Sequence, residues 1–415
     1  MQKMVLEVIT FGCRLNIYES ELIKKHAKDA GIKDAIIFNS CAVTREAERK
    51  LKQAIRKAKK DNPNCKVMVT GCAAQISAAK YAKMPGVDVV FGNHEKLQRD
   101  TYSKLAFPHE PILVNDIMSV EDTAHQMIDG LENKSKAFLQ IQNGCNHRCT
   151  FCIIPYGRGN SRSVPVGEII RYAQNLVEKG YKEFVLTGVD ITDYGKDIPG
   201  QPTLGNMIMR LLRMVPEIKR LRLSSIDVAE VDDELFELIV GESRFMPHLH
   251  LSLQAGDDMI LKRMKRRHAR QQTIDFCNKV RTIRPEIAFG ADVIAGFPTE
   301  TDEMFKNTYN LVKELNIIHL HTFPYSPREG TPAARMPQVK GDVIKIRAKM
   351  LRELKDELLG IYLQKKIGKQ ECILAESENH GYTEDYCHVI SEQKLERGSL
   401  HTVTVKSSSK QALLV

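Results

Sequence analysis

The chain has 415 residues, too many for one compact domain and enough for two or three. With 27% charged and 42% hydrophobic residues it is neither a disordered chain nor a membrane protein, since no apolar run approaches the roughly 18 residues a membrane helix needs. Sixty-one Lys and Arg against 52 Asp and Glu give a net charge of +9, which permits a polyanionic partner without requiring one. The opening MQKMVLEVITFGC lacks the basic-then-apolar layout of a signal peptide, so a cytoplasmic protein with no membrane partner is expected. Each of the ten cysteines is then a buried hydrophobe, a nucleophile or a metal ligand rather than half of a disulfide.

Up to about residue 115, short apolar runs at 5–10, 34–39, 66–71 and 87–92 alternate with amphipathic stretches at 18–30, 44–60 and 73–80. This alternation predicts a doubly wound parallel sheet. Cys13, Cys41 and Cys72 each follow one of the first three strands, in FGC, NSC and TGC. That puts them on one edge of the sheet, where open α/β sheets build their ligand sites, and three converging thiols suit a metal centre with one open position. Cys65 precedes its strand and belongs to the opposite edge.

A polar stretch at 116–134 reads as a linker. Next come AFLQIQ (137–142) and the loop NGCNHRCTFCIIPYGRGNSRS, in which Cys145, Cys149 and Cys152 form CxxxCxxC. Zinc sites usually pair two CxxC hooks, and no second hook lies nearby. Three thiolates in one loop suit an iron-sulfur cubane with one iron open to an external ligand. Strands are predicted at 183–188, 219–225, 248–254, 287–296 and 318–325, with helices near 167–179, 203–214, 232–240, 271–283 and 301–314. With the strand before the cysteine loop they make an incomplete (βα)6 barrel, whose chemistry belongs at the C-terminal strand ends.

Two basic runs, at 45–60 and 262–270, together with Arg158 and Arg162, are candidates for phosphate contact. A basic amphipathic helix at about 343–366 leads into a last segment of alternating apolar and polar residues, expected to form a small antiparallel β-barrel. Cys277, Cys372 and Cys387 read as core residues. The absence of a GxGxxG or Walker-type loop argues against hydride transfer and nucleotide hydrolysis.

The CxxxCxxC loop after a first barrel strand resembles the radical S-adenosylmethionine enzymes. The motifs TFGCRLNIYESE, NSCAVT, TGCAAQ, GCNHRCTFCIIPYGRGNSRS, GFPTET and YSPREGTPAARM together resemble their methylthiotransferase family across nearly the whole chain. The resemblance implies two [4Fe-4S] clusters, one on Cys13, Cys41 and Cys72 and one on Cys145, Cys149 and Cys152. It also implies S-adenosylmethionine contacts at Phe151, Gly188, Ser252, Gln254, Asp292 and Ile294, with no catalytic side chain beyond the cluster ligands.

The implied domains are a methylthiotransferase domain at 1–115, a linker at 116–134, a radical barrel at 135–360 and a TRAM-like RNA-binding β domain at 361–415. The run from Asn16 to Glu21 and the GRGNSRS segment are most similar to the branch acting on threonylcarbamoyl-adenosine at tRNA position 37. Its implied partners are the tRNA anticodon stem-loop, an electron donor such as flavodoxin or ferredoxin, and an unidentified sulfur donor. The other readings are methylthiolation of isopentenyl-adenosine in tRNA or of a ribosomal protein side chain, and a non-enzymatic iron-sulfur RNA-binding sensor, which would leave the barrel motifs unexplained.

Overall fold

The computed structural model describes residues 6–106, 110–121 and 135–415, so most of the stretch expected as a linker lies outside the described residues. The chain divides into two compact units. One comprises the described residues of Met1–Glu132 with Gln142–Arg148 and Cys152–Val164; the other comprises those of Asn133–Ile141 with Cys149–Phe151 and Pro165–Val415.

The first unit is built on five parallel strands in the order of the sequence: β1 (Leu6–Thr10), β2 (Ala35–Ser40), β3 (Lys66–Gly71), β4 (Val89–Phe91) and β5 (Ile112–Leu113). The last of these is too short to register as a strand in the sequence. Successive residues of β2 face opposite sides, as the pleat requires. Ile36 and Phe38 pack with Leu51 and Ile55 of helix α2 (Arg45–Asp61), while Ala35 and Ile37 pack with Ile23 and Ala27 of helix α1 (Arg14–Asp29). Helices thus cover both faces, and the expected doubly wound sheet is present.

In the second unit, β6 (Lys136–Gln140) pairs in parallel with β7 (Glu183–Thr187), and β7 with β8 (Arg220–Leu223). Parallel bridges at Leu221–Phe245 and Ile226–Leu251 link this sheet to β9 (His248–Gln254), followed by β10 (Ala288–Ala295) and β11 (Ile317–Pro324). The six strands are the expected incomplete barrel. Its amphipathic helices, Val166–Glu178, Leu204–Met214, Asp233–Gly241, Arg270–Ile283 and Asp302–Glu314, lie within a residue of their expected bounds. The basic helix also forms, over Gly341–Gln364.

The segment after it folds into six short strands, antiparallel apart from one parallel pair. The run GYTEDYCHVI is two strands, His380–Thr383 and His388–Ile390, because Tyr386 turns the chain with a left-handed φ of 70°. This sheet is joined to the N-terminal ends of the barrel strands by buried polar contacts. Arg222 donates to the Glu183 carboxylate (2.9 Å) and to the carbonyls of Glu384 (2.7 Å) and Thr383 (2.9 Å). Arg220 donates to the Cys372 carbonyl (2.9 Å), and Lys136 lies over the Tyr382 and Tyr386 rings.

Arg222 satisfies a buried carboxylate and two carbonyls at once, so removing it takes the shortest donor from Glu183 and leaves the Glu384 and Thr383 carbonyls without this partner. The Arg222→Ala variant is expected to lose about 3 kcal/mol or more of stability in equilibrium denaturation, with the C-terminal sheet the first segment to lose hydrogen-exchange protection.

Candidate metal centres and substrate wall

In the first unit the three expected thiols sit at three adjacent strand ends. Cys13 caps the N-terminus of α1, Cys41 follows β2 directly, and Cys72 begins the short helix Cys72–Ile76 after β3. Two glycines make the approach possible. Gly12 has a φ of +100°, and a Cβ there would lie 2.7 Å from Cys41 Cβ and 2.9 Å from its Sγ. Gly71 has a φ of +92° and its Cβ would strike the backbone of Ser40.

The thiols act on one another. Burial pushes the Cys41 thiol up to about 11, and the charges of Cys72 and Cys13 push in the same direction. Metal ligation requires thiolates, so positive charge nearby is part of such a site.

That charge comes from a buried network. Arg158 donates to both oxygens of Glu19 (2.9 and 3.0 Å) and to Asn16 Oδ1 (2.6 Å). Lys96 donates to Glu19 Oε2 (2.7 Å) and Asn39 Oδ1 (3.3 Å). The Glu19 and Lys96 side chains are 1% and 0% exposed. Burial opposes the Arg158 charge, but Glu19, Cys72 and Cys13 hold it well above the ordinary arginine value. Asn93 Nδ2 lies 3.5 Å from Cys72 Sγ and also donates to the Gly157 carbonyl.

Arg158 and Arg162, candidates for phosphate contact, are both buried. Arg162 donates to the carbonyls of Val120 (3.2 Å), Asn160 (3.1 Å) and Arg158 (2.9 Å).

In the CxxxCxxC loop, the Cys145 amide donates to the Gly159 carbonyl (3.1 Å), and Cys145 Sγ accepts from the His147 amide (3.4 Å). Cys149, in the second unit, has its Sγ 3.6 Å from Arg266 Nη1. Arg266 also donates to Asp227 (2.8 Å) and to the Ser252 carbonyl (2.9 Å). Burial would raise the Asp227 carboxyl, yet His268, Arg266 and Arg267 hold it well below the usual carboxylate range.

The four arginines of the basic run 262–270 are therefore spent internally, while Lys262 and Lys265 are exposed. Arg263 bonds Thr299, Arg266 and Arg267 bond Asp227, and Arg270 reaches Glu314 and the carbonyls of Gly256 and Asn307. Charge count alone could not distinguish this from a phosphate-binding face. On α2 the picture differs: Leu51 and Ile55 face the core while Arg56, Lys57 and Lys60 are exposed.

The residues expected to line the S-adenosylmethionine site fall on the barrel's C-terminal side. Phe151 meets Phe297 edge-on (centroids 6.4 Å apart) in an apolar cluster that includes Ile294 and Ala255. Gly188 directly follows β7. Ser252 and Gln254 end β9, where a break in register and a φ of +65° turn Gln254. Asp292 Oδ1 is bonded by His250 Nε2 (2.9 Å) and His321 Nδ1 (3.2 Å). Cys65, Cys277 and Cys387 are buried, and burial pushes Cys277 up to about 12.

Three strand-end thiols with Arg158 nearby, and a CxxxCxxC loop with Arg266 beside Cys149, have the ligand chemistry of [4Fe-4S] clusters. Residues 139–312 match the radical SAM superfamily, and with the barrel this defines a radical SAM enzyme. Residues 5–92 match the uncharacterized protein family UPF0004.

The chain is 55% identical over 394 residues to the threonylcarbamoyladenosine tRNA methylthiotransferase MtaB of Rickettsia prowazekii, covering 95% of this chain and 93% of that protein. It is 37% identical to MtaB of Bacillus subtilis, over 92% and 89% of the two chains. It is 31% identical to the tRNA-2-methylthio-N(6)-dimethylallyladenosine synthase of Neorickettsia sennetsu, over 96% and 90%. The radical SAM methyltransferase TsrM from Kitasatospora setae has the same fold, with a TM-score of 0.57 at 12% identity over 79% of this chain and 73% of that one. The chain belongs to the radical SAM methylthiotransferase family, whose members use S-adenosylmethionine and two [4Fe-4S] clusters.

The Glu19 network carries a pH signature. Burial raises the Glu19 carboxyl, but Arg158 and Lys96 outweigh it and lower the group from 4.5 to about 2. A depressed carboxyl stabilises the fold above its unfolded value, and that contribution is lost as pH falls through the folded one. Replacing Glu19 by Gln leaves two buried cations without their carboxylate, so the cluster-free variant is expected to be about 3 kcal/mol less stable than wild type at pH 7. Denaturation curves should show that gap narrowing between pH 4.5 and 2.

Proposed function

We propose that this chain methylthiolates carbon 2 of N6-threonylcarbamoyladenosine at position 37, next to the tRNA anticodon. The observation that carries the reading is the 55% identity over 95% of the chain to the Rickettsia MtaB, against 31% to 34% to three dimethylallyladenosine synthases. Carbon 2 of a purine has no acidic proton and no leaving group, so exchanging its hydrogen for sulfur needs radical chemistry. When bound, the clusters and S-adenosylmethionine supply the radical and the methylated sulfur; the protein's share is to bind, orient and exclude water.

Cys145, Cys149 and Cys152 would hold one cluster, with Arg266 beside Cys149 stabilising its thiolate. Cys13, Cys41 and Cys72 would hold the other, over the cationic pair Arg158 and Lys96. Phe151, Gly188, Ser252, Gln254 and Ile294 would receive S-adenosylmethionine; Asp292 stands apart because two histidines occupy its Oδ1.

An electron donor such as flavodoxin or ferredoxin and a sulfur donor complete the partners, and the site of action is the cytoplasm. Among the described residues no helix is long and apolar enough to cross a membrane. The exposed cations of α2 suit the tRNA backbone. The C-terminal sheet, proposed as a TRAM-like module, turns Tyr382 and Tyr386 toward Lys136 of the barrel, so RNA would meet its other surfaces.

Mass spectrometry of tRNA nucleosides from cells lacking the gene should show loss of the methylthio form of threonylcarbamoyladenosine; loss of the isopentenyl counterpart instead would refute the substrate. Anaerobically reconstituted protein should hold roughly eight irons, and changing Cys13, Cys41 and Cys72 to Ala should remove about half. The double variant Arg56→Ala with Lys57→Ala should weaken tRNA binding and flatten its log-log salt dependence by about 2.

A further inference from the structure

A modified adenosine at position 37 has to be told from its unmodified or differently modified relatives by the arm on N6. An isopentenyl arm is a branched hydrocarbon. A threonylcarbamoyl arm offers urea N–H groups, a hydroxyl and a carboxylate. Discriminating in favour of the second takes a polar group held ready in an accessible wall, because a site built to hydrogen-bond rejects an analogue that lacks the partner.

The barrel carries such a group. Along β9 the buried Leu249, Leu251 and Leu253 alternate with the polar His248, His250, Ser252 and Gln254, so one face of the strand is polar throughout. On the neighbouring strands Asp292 and His321 are register partners. The three side chains converge through one atom, Asp292 Oδ1, which accepts from His250 Nε2 at 2.9 Å and His321 Nδ1 at 3.2 Å. Burial raises the Asp292 carboxyl, but these two contacts outweigh it and hold the group well below the usual carboxylate range. It is an acceptor at any ordinary pH.

The two imidazoles differ. The His250 side chain is 12% exposed, and its Nδ1 is covered by Gly290, where a Cβ would lie only 2.6 Å away. Its ring is largely enclosed. The His321 side chain is 61% exposed. With Nδ1 directed at Asp292, its Nε2 is the atom left to meet an incoming molecule, and the ring is steadied by His250 at a centroid distance of 4.8 Å.

Two residues on, Phe323 is also exposed, at 37%, unusual for a phenylalanine in a barrel strand. Positions i and i+2 of a strand share a face and stand about 6.6 Å apart. That is roughly the separation between the centre of a purine ring and the polar end of an N6 arm. β11 is the last strand of its sheet, with the helix Gly341–Gln364 packed along it.

We propose that His321 is the contact for the polar N6 arm, with Phe323 stacking on the base, and that His250 and Asp292 are positioning residues that hold the His321 ring with Nε2 outward. The assignment rests on the threonylcarbamoyladenosine reading above, and it adds which residues tell that arm from an apolar one. His321 donates to the arm's carboxylate when both ring nitrogens carry protons, and accepts from its hydroxyl or urea N–H when only Nδ1 does.

The experiment measures dissociation constants of reconstituted full-length enzyme for three anticodon stem-loops, carrying threonylcarbamoyl-adenosine, isopentenyl-adenosine or plain adenosine at position 37. Wild type should prefer the first. His321→Leu should reduce that preference about tenfold or more and move it toward the isopentenyl form, while His321→Gln should retain part of it. Asp292→Asn should lower the preference without lowering affinity for the plain stem-loop, a split that general damage to the fold would not produce.

Equal loss for all three stem-loops in His321→Leu, or no loss at all, would overturn the assignment. So would a stoichiometric divalent metal beyond the cluster iron that disappears in Asp292→Asn, which would make the trio a metal site. Should wild type itself show no preference for the threonylcarbamoyl stem-loop, the substrate reading fails, and that result is distinct from a wild-type preference that His321 does not affect.

Discussion

A carboxylate that cannot reach water holds the first unit together. Glu19 lies on α1, Lys96 follows β4, and Arg158 comes from the segment after the CxxxCxxC loop, so one buried anion ties three distant stretches of chain to one point. Losing Glu19 would strand both cations in a medium that does not solvate them. The ratio of two cations to one carboxylate leaves a net positive charge under the three strand-end thiols. Arg158 is raised by Cys72 and Cys13 as well as by Glu19, so the network is electrostatically continuous with the thiols. A surplus of positive charge there lowers the cost of converting three thiols to thiolates, as a cluster requires.

The same network explains why two sequence motifs travel together. Asn16 and Glu19 belong to the NIYESE run and Arg158 to GRGNSRS, 139 positions beyond Glu19, and the structure joins them by direct hydrogen bonds. Read as sequence, the first motif is a helix start and the second a basic loop suited to phosphate. The strands were legible because their apolar runs are short and bounded by turns, and the cysteines because their positions follow strand ends. Pairing was not legible, since a charged residue looks alike whether it faces solvent or a buried partner. The run 262–270 makes the point most sharply: its arginines answer Asp227, Glu314 and main-chain carbonyls, none adjacent in sequence. Helix α2 differs because Leu51 and Ile55 fix which face is inward, which leaves Arg56, Lys57 and Lys60 exposed.

The barrel interior is a second place where charge replaces the expected apolar filling. Barrels of this kind usually pack branched hydrophobic residues in layers. Here Lys136, Glu183 and Arg220 occupy the first positions of β6, β7 and β8, with Arg222 two residues further along β8, and the C-terminal sheet supplies carbonyls and tyrosine rings to satisfy them. RLRL gives no warning of this, because alternation predicts two faces but not which is the lumen. His319 accepts the same logic: its Nε2 meets the Asp385 carbonyl at 3.1 Å, and burial pushes it down to about 4, so it is a neutral donor near pH 7.

Polarity in the lumen changes along its length, and that gradient divides the work. At the N-terminal ends every charge is matched by a residue of the chain, so this end is closed structure. Toward the C-terminal ends the matching becomes incomplete in one direction only: Asp292 is satisfied by two histidines, and the outer one is left open to solvent. Phosphate contacts on a helix such as α2 orient an RNA without reading it, because every nucleotide carries the same phosphate. Information about the modified base must then come from the wall the base touches. A wall of leucines would bind a purine with any arm of suitable size, whereas a fixed imidazole favours an arm that can answer it and loses its water without a replacement partner when the arm cannot.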